Sequence, residues 1–92
     1  MAALDLLGRR WALRVLWELR GGAVGARVLL ERCPGLSSSV LYDRLRELTQ
    51  AGLVTQDPDD RYRLTAVGRS LGTAIEPLDS WSKKWARSRP DA

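Results

Sequence analysis

Side chains that can form hydrogen bonds cluster at the start and along the outer face of one predicted helix. They are Ser37, Ser38, Ser39, Tyr42, Asp43 and Arg46. Leu41, Leu45 and Leu48 recur on the opposite face at helical spacing, so the polar set is expected to face solvent. Arginine donates hydrogen bonds to base edges and phosphates, and aspartate accepts one from the amino group of cytosine. This chemistry predicts a surface that reads duplex DNA.

Two arginines, Arg61 and Arg63, alternate with apolar residues in a short segment further along the chain. Successive side chains of a strand point to opposite faces, so Tyr62 and Leu64 are expected to face inward and the arginines outward. An outward guanidinium pairs well with phosphate oxygens. Arg61 and Arg63 are therefore predicted to bind the DNA backbone.

Size and charge agree with a small domain that has a polyanionic partner. Residues 1–92 are enough for one domain, whose own core buries only about two-thirds of the unfolded surface, so self-association is expected to add burial. The formal net charge is +4, and all 15 basic residues except Lys83 and Lys84 are arginine. Nucleic acid is therefore the leading partner.

Cysteine and histidine usage excludes most enzyme chemistries. The chain contains no histidine and one cysteine, Cys33, which excludes an intramolecular disulfide, a Cys/His zinc site and histidine acid–base catalysis. The sequence shows no glycine-rich phosphate loop and no nucleophile–base pair, so we predict no enzymatic activity, cofactor or metal. Cys33 lies in an apolar stretch and is expected to be buried.

The elements that must position the polar residues begin with a predicted helix over residues 4–20, where apolar side chains recur between arginines. Gly21 and Gly22 end it, because glycine readily adopts the left-handed conformation that follows helices. Charges interrupt the apolar stretch, so it is predicted to be neither a signal peptide nor a membrane span. We expect a cytoplasmic protein without a membrane partner, associated with the nucleoid when bound to DNA.

A helix-turn-helix is predicted over residues 24–51. Its first helix covers residues 24–33 and ends before Pro34, which cannot continue the hydrogen-bond ladder. Its second helix is capped by the Ser37 hydroxyl and ends at Gly52 in a Schellman motif.

A hairpin and a long helix complete the predicted fold. The hairpin, residues 53–64, has two strands around a turn rich in aspartate and proline. The last helix, residues 65–87, is capped by Thr65, and Pro77 is expected to kink it or to break it near Glu76. The tail that follows is expected to fray.

The chain resembles the HxlR-type family of winged helix-turn-helix transcriptional regulators, within the MarR/PadR-like superfamily. The matching segments are GRRWALRVLWEL at residues 8–19, PGLSSSVLYDRLRELTQAGLV at 34–54 and LTAVGRSL at 64–71. The resemblance implies an α+β fold, mostly α, with a two-stranded hairpin wing that touches the minor groove and with terminal dimerisation helices. It also implies a sequence-specific regulator that binds double-stranded DNA as a homodimer, with Arg44 on the flank of the recognition surface.

The chain departs from the family pattern in three regions. No cysteine precedes the first helix, where some members use one for redox sensing, so redox sensing is not predicted. The wing is short and carries Asp57, Asp59 and Asp60, whose charges repel phosphates and argue against deep insertion into the minor groove. The first helix of the helix-turn-helix has Gly25 and Ala26 in place of the usual polar cap and aromatic residue.

Apolar side chains near both ends of the chain are predicted to form the dimer interface. They are Leu4, Leu7, Trp11, Ile75, Leu78, Trp81 and Trp85. The last helix carries more apolar residues than one small core can cover, which favours dimer packing. The alternative is an aromatic pocket formed by Trp11, Trp81 and Trp85 for a small-molecule effector, whose identity the sequence does not indicate.

The pattern supports two functional hypotheses. The first is a dimeric, sequence-specific DNA-binding regulator whose affinity comes mainly from arginine–phosphate contacts and whose specificity comes from the helix that starts at Ser37. The second is a winged helix used for protein–protein contacts without DNA binding, suggested by Asp43 and the acidic wing tip. Salt-dependent binding to duplex DNA separates the two hypotheses.

Overall fold

The structure is a computed structural model that describes residues 2–90, and these residues form five helices and three strands. In chain order they are α1 (Ala2–Leu7), α2 (Ala12–Glu18), β1 (Val24–Gly25), α3 (Ala26–Arg32), α4 (Ser38–Gln50), β2 (Val54–Gln56), β3 (Arg61–Leu64) and α5 (Ala66–Ser88). The predicted α+β class, mostly α, is confirmed. None of these helices combines the length and the apolar character needed to cross a membrane. The end of the tail that was expected to fray, Asp91 and Ala92, lies outside the described residues.

The prediction of one helix over residues 4–20 is wrong, because the chain forms two helices separated by residues 8–11. Trp11 adopts a left-handed backbone conformation with φ of 76°, which interrupts the helical path. The carbonyl of Arg10 accepts a hydrogen bond of 2.8 Å from Nε of Arg44 in α4, so another element holds this part of the backbone. Hydrophobic spacing continues across the break, which is why the sequence alone indicated a single helix.

The helix-turn-helix consists of α3 and α4. The first two residues predicted to be helical, Val24 and Gly25, form β1 instead. α3 then starts at Ala26, and its N-cap residue, Gly25, provides no side-chain cap, as the absence of a polar residue there suggested. The Ser37 hydroxyl accepts a bond of 3.3 Å from the backbone N–H of Val40, which confirms the predicted cap of α4.

α4 ends in the Schellman motif that the sequence predicts. Gly52 has a φ of +79°, and its N–H donates to the carbonyl of Thr49 at 3.0 Å. The N–H of Leu53 donates to the carbonyl of Leu48, also at 3.0 Å. These two bonds satisfy carbonyls that the helix leaves without partners and direct the chain into β2.

The predicted hairpin is present, but it belongs to a sheet of three antiparallel strands rather than two. β3 lies in the centre; β1 pairs with it through Val24 and Tyr62, and β2 pairs with it through Val54 and Leu64. Two residues are too few to show the two-residue period of a strand, so the sequence analysis did not predict β1. Tyr62 and Leu64 are buried, and Arg61 and Arg63, which alternate with them, are exposed, as predicted.

Helix α5 begins at the end of the sheet and continues through Pro77. The Thr65 hydroxyl accepts a bond of 3.0 Å from the N–H of Gly68 and donates one of 2.6 Å to the carbonyl of Gly52. These contacts confirm the predicted cap and join α5 to the end of α4. The break near Glu76 does not occur; Pro77 is exposed, so water can solvate the carbonyl that loses its helical partner.

The hydrophobic core lies where α2, α3, α4 and the sheet meet. Leu16, Leu29, Leu41 and Leu45 are at most 2% exposed and belong to this core. Cys33 is fully buried among them, as predicted. Burial raises the pKa of its thiol above the ordinary value of 9.0, because a thiolate is poorly solvated in an apolar environment.

Candidate nucleic-acid interface

The outer face of α4 presents the side chains that the sequence predicts for reading bases. Tyr42 is 49% exposed, and the side chains of Asp43 and Arg46 are 50% and 61% exposed. Their positions on this face follow from the burial of the three leucines on the opposite side of the helix. A helix with one buried apolar face and one exposed polar face can enter a groove of DNA without unfolding.

The three serines lie at the N-terminal end of α4. The hydroxyl of Ser37 serves as the helix cap, and its Oγ lies 3.3 Å from Oγ of Ser39. Ser38 and Ser39 are exposed, and no acidic residue lies in the first turn. The partial positive charge at this helix end therefore favours an anion such as a phosphate.

Asp43 and Arg46 form an ion pair in which Oδ1 of the aspartate lies 2.6 Å from Nη2 of the arginine. Because both side chains are at least half exposed, solvent screens the pair and its contribution to stability is only about 0–1 kcal/mol. The guanidinium has five N–H donors, so most of them stay available for a ligand.

The exposed face of α4 continues into the wing. A shallow depression of about 310 Å³ lies between them, lined by Tyr42, Arg46 and Thr49 from α4 and by Gln56 and Tyr62 from the sheet. Burial raises the pKa of the Tyr62 hydroxyl above its ordinary value of 10.0, because a phenolate is poorly solvated there. Thr49 and Gln56 were not among the predicted site residues, although the spacing of seven residues between Tyr42 and Thr49 indicates a shared face.

The two wing arginines differ in their acidic neighbours. Nε of Arg61 lies 3.7 Å from Oδ2 of Asp57, and its Nη2 lies 3.5 Å from Oδ2 of Asp59. Arg63 is exposed and makes no ion pair with any residue of the described part of the chain. Its charge is therefore less offset than that of Arg61.

Arg44 does not lie on the exposed face of α4, in contrast to the flanking position that the resemblance implies. Its side chain is only 12% exposed. Nη1 donates to both carboxylate oxygens of Glu47, at 2.8 and 3.0 Å, and Nε donates to the carbonyl of Arg10 at 2.8 Å. Arg44 therefore holds two parts of the fold together, and we assign it no contact with DNA. A position of Arg44 near the core, with a bond to a backbone group, is the alternative that the sequence offers to DNA contact. The sequence does not identify the acceptor, because the carbonyl of Arg10 becomes available only through the break before α2.

A second notable surface is apolar and covers one side of α1 and α5. Its most exposed large side chains are Leu4, Val67, Leu78, Trp81 and Trp85. The rings of Trp81 and Trp85 stack with centroids 6.0 Å apart. Open depressions of about 270 and 380 Å³ lie between α1 and α5, beside residues from α2 and the end of α4.

The side chains predicted for the dimer interface fall into two groups. Leu7, Trp11 and Ile75 are already partly buried against the core of the same chain. The others in that set are exposed on the apolar surface, together with Val67, which the sequence analysis did not include.

Residues 2–90 contain no group of three or more histidine, cysteine, aspartate or glutamate side chains arranged to hold a metal ion. A groove of about 490 Å³ lies between α2 and α5, and its aromatic lining comes from Trp17 rather than from Trp81 or Trp85. The arginine in this groove, Arg14, is already bound to Glu18 at 2.9 Å and to the carbonyl of Arg32 at 2.7 Å.

Comparisons with known proteins agree with this architecture. A family model described as HxlR-like helix-turn-helix matches residues 6–90. YvaP of Bacillus subtilis (strain 168), named an HTH-type transcriptional regulator, is 30% identical over 89 residues, which are 90% of this chain and 82% of YvaP. Rv3095 of Mycobacterium tuberculosis (strain H37Rv), named in the same way, is 38% identical over 90% of this chain and 56% of its own length. The crystal structure of quinone-bound YodB from B. subtilis has a TM-score of 0.83 and 29% identity, covering 90% of this chain and 93% of that chain.

The chain thus spans between about half and about four-fifths of the lengths of these two curated relatives. The resemblance seen in the sequence is confirmed, and so is the prediction of a regulator rather than an enzyme. The chain belongs to the HxlR-like helix-turn-helix family.

Proposed function

We propose that this protein is a transcriptional regulator that binds specific sequences of duplex DNA as a homodimer. The observation that carries the proposal is the continuous exposed surface formed by Tyr42, Asp43 and Arg46 on α4 together with the wing. This surface offers both hydrogen-bond donors and an acceptor on a helix, the element that fits the major groove. Membership of a family whose members are named transcriptional regulators supports it.

The proposed contacts divide into two kinds. Asp43 and Arg46 face the base edges and supply sequence specificity. Ser38 and Ser39, at the N-terminal end of α4, and Arg63, on the outward face of β3, bind phosphates, which sets the register of α4 on the duplex. The net charge of +4 supports this arrangement, because it attracts the polyanion at long range.

The proposed dimer joins two copies through the apolar surface of α1 and α5. Leu78, Trp81 and Trp85 are 48%, 57% and 48% exposed in the single chain, which leaves a large apolar area in contact with water. Burying this area between two copies is favourable. If both α4 helices enter successive major grooves, they lie about 34 Å apart in the dimer.

Selection from a pool of random-sequence duplexes tests the proposal. We expect enrichment of a palindromic sequence whose half-sites are about 10 base pairs apart or a multiple of this. Affinity for that sequence should fall steeply as salt concentration rises, since counterions are released from phosphates. Analytical ultracentrifugation of the free protein should give twice the mass of one chain.

A different outcome would support the other hypothesis. If the chain binds no duplex in a salt-dependent way, the surface of α4 and the wing is better explained as a protein-binding module. The pairing of Arg61 with Asp57 and Asp59 favours that alternative, because it offsets a charge that DNA binding would use.

A further inference from the structure

Asp43 places a carboxylate on the face of α4 that is proposed to meet DNA. Its side chain is half exposed and contacts Arg46 at 2.6 Å. Among the contacts within residues 2–90, it caps no helix and accepts no backbone N–H. Asp57 differs, because its Oδ1 accepts the N–H groups of Asp59 and Arg61 at 2.9 and 3.0 Å and thereby shapes the wing turn.

Folding stability does not explain a carboxylate at position 43. An exposed ion pair between residues three apart on a helix contributes little to stability. The same charge repels phosphates and weakens binding to DNA of any sequence. A residue that adds little stability and lowers general affinity is understandable if it helps the protein to discriminate between sequences.

We propose that Asp43 is a specificity-determining residue that requires a base with an amino group, cytosine or adenine, next to a guanine bound by Arg46. The inference rests on the proposed function, since it assumes that α4 lies in the major groove. Cytosine N4 and adenine N6 are the amino donors in that groove, and a carboxylate accepts a hydrogen bond from either. Guanine O6 and thymine O4 are acceptors and repel a carboxylate at the same place.

The ion pair also orients Arg46 toward its base. The contact with Asp43 involves Nη2, which leaves other N–H groups of the guanidinium for guanine O6 and N7. At a site with guanine beside an amino-bearing base, DNA provides a partner for both charges. At other sites Asp43 or Arg46 loses its hydrogen bonds to water without gaining one to a base, and this lowers the affinity for those sites.

Selections with four forms of the full chain test this inference. They are the wild type, Asp43→Ala, Asp43→Asn and Glu31→Gln. Glu31→Gln is the matched control, because it also removes one carboxylate from an exposed arginine pair, the Arg27–Glu31 pair on α3. Melting temperatures verify that each form is folded, and affinities are then measured on duplexes that differ at single base pairs and on a random duplex.

The wild type should prefer an amino-bearing base at one position by about 5- to 150-fold, next to a position that requires guanine. Asp43→Ala should lose the first preference and retain the second. Asp43→Asn should shift the first preference to adenine, because an asparagine amide binds adenine N6 and N7 together. Both variants should bind the random duplex more tightly than the wild type and more tightly than Glu31→Gln.

The inference is overturned if Asp43→Ala keeps the wild-type preference at every position, or if Glu31→Gln changes the preference as much as the Asp43 variants do. In either case the proposed DNA-binding function stands, since the wild type still selects a sequence. If the wild type enriches no sequence, the proposed function and this inference both fail.

Discussion

Nε of Arg44 in α4 donates a hydrogen bond of 2.8 Å to the carbonyl of Arg10, in the break between α1 and α2. The same guanidinium binds Glu47, which also pairs with Arg9 at 3.2 Å. This cluster joins the proposed recognition helix to the backbone that orients α1, a helix of the apolar surface. A contact between distant residues therefore ties α4 to the segment from which α1 extends.

We expect Arg44→Met to lower the free energy of unfolding by about 1–3 kcal/mol. The carbonyl of Arg10 loses its side-chain donor and Glu47 loses its closest cation, while methionine keeps most of the apolar packing. Urea denaturation measures the effect. Arg46→Met is the matched control, because it removes an exposed ion pair with Asp43 and should cost less than about 1 kcal/mol. Equal losses in the two variants would contradict a structural role for Arg44.

Gly68 is predicted to be essential for packing α5 against the end of α4. A Cβ at this position would overlap the carbonyl oxygen of Leu53, a backbone atom that cannot move aside alone. We expect Gly68→Ala to destabilise the fold by about 1–3 kcal/mol or more. Gly72→Ala, where a Cβ would meet nothing within 4 Å beyond the backbone of its own helix and its chain neighbours, should instead be stabilising by about 0.5–1 kcal/mol. If thermal denaturation shows the same change in melting temperature for both variants, the close approach of Gly68 to Leu53 is contradicted.

Arg46 and Arg63 are expected to affect DNA binding in different ways. Arg46→Ala should cost about 1–3 kcal/mol on the selected duplex and little on a random one, as for a base contact. Arg63→Ala should weaken both duplexes and reduce the slope of log affinity against log salt by about one unit per protomer. Arg61→Ala should have a smaller effect, because Asp57 and Asp59 already offset that charge. Fluorescence anisotropy across a salt series measures the affinities of all three variants. If Arg46→Ala loses the same affinity for the selected and the random duplex, Arg46 contacts a phosphate rather than a base.

Replacing Trp81 and Trp85 by alanine is expected to convert the dimer to monomers or to produce aggregates. Each change removes a large aromatic side chain from the proposed interface, at a cost of about 2 kcal/mol or more. Sedimentation velocity at several concentrations measures the change. Val28→Ala, which shortens an apolar side chain that is 38% exposed on α3, is the control and should leave the mass unchanged. A double tryptophan variant that stays dimeric would move the interface away from α5.

The buried thiol of Cys33 is expected to make stability sensitive to alkaline pH. Burial raises its pKa in the folded state above the ordinary value of 9.0, so the protonated form is favoured by folding. Its contribution to stability is therefore complete below about pH 9 and declines as the pH rises toward the folded-state pKa. The melting temperature of the wild type should fall more between pH 8 and about 10 than that of Cys33→Ala. Rapid reaction of the native protein with a thiol reagent at pH 8 would contradict the burial of this group.

Much of the candidate site could be predicted from local patterns. The spacing of Leu41, Leu45 and Leu48 determines which face of α4 is buried and hence which side chains are exposed. Ser37 and Gly52 determine where that helix begins and ends, through hydrogen bonds to residues at most five positions away. The alternation in β3 determines that its arginines face outward.

Three features were decided only by the tertiary structure. The break at Trp11 and the burial of Arg44 occur together with a hydrogen bond between residues 34 positions apart, and hydrophobic spacing carries no sign of it. Strand β1 depends on Val24 meeting Tyr62 across the sheet. Local sequence determines which side chains a helix or strand can present, because neighbours along the chain set that geometry. Which of them remain free to bind depends on partners brought close only by folding, as Arg44 and Arg46, two residues apart on α4, demonstrate.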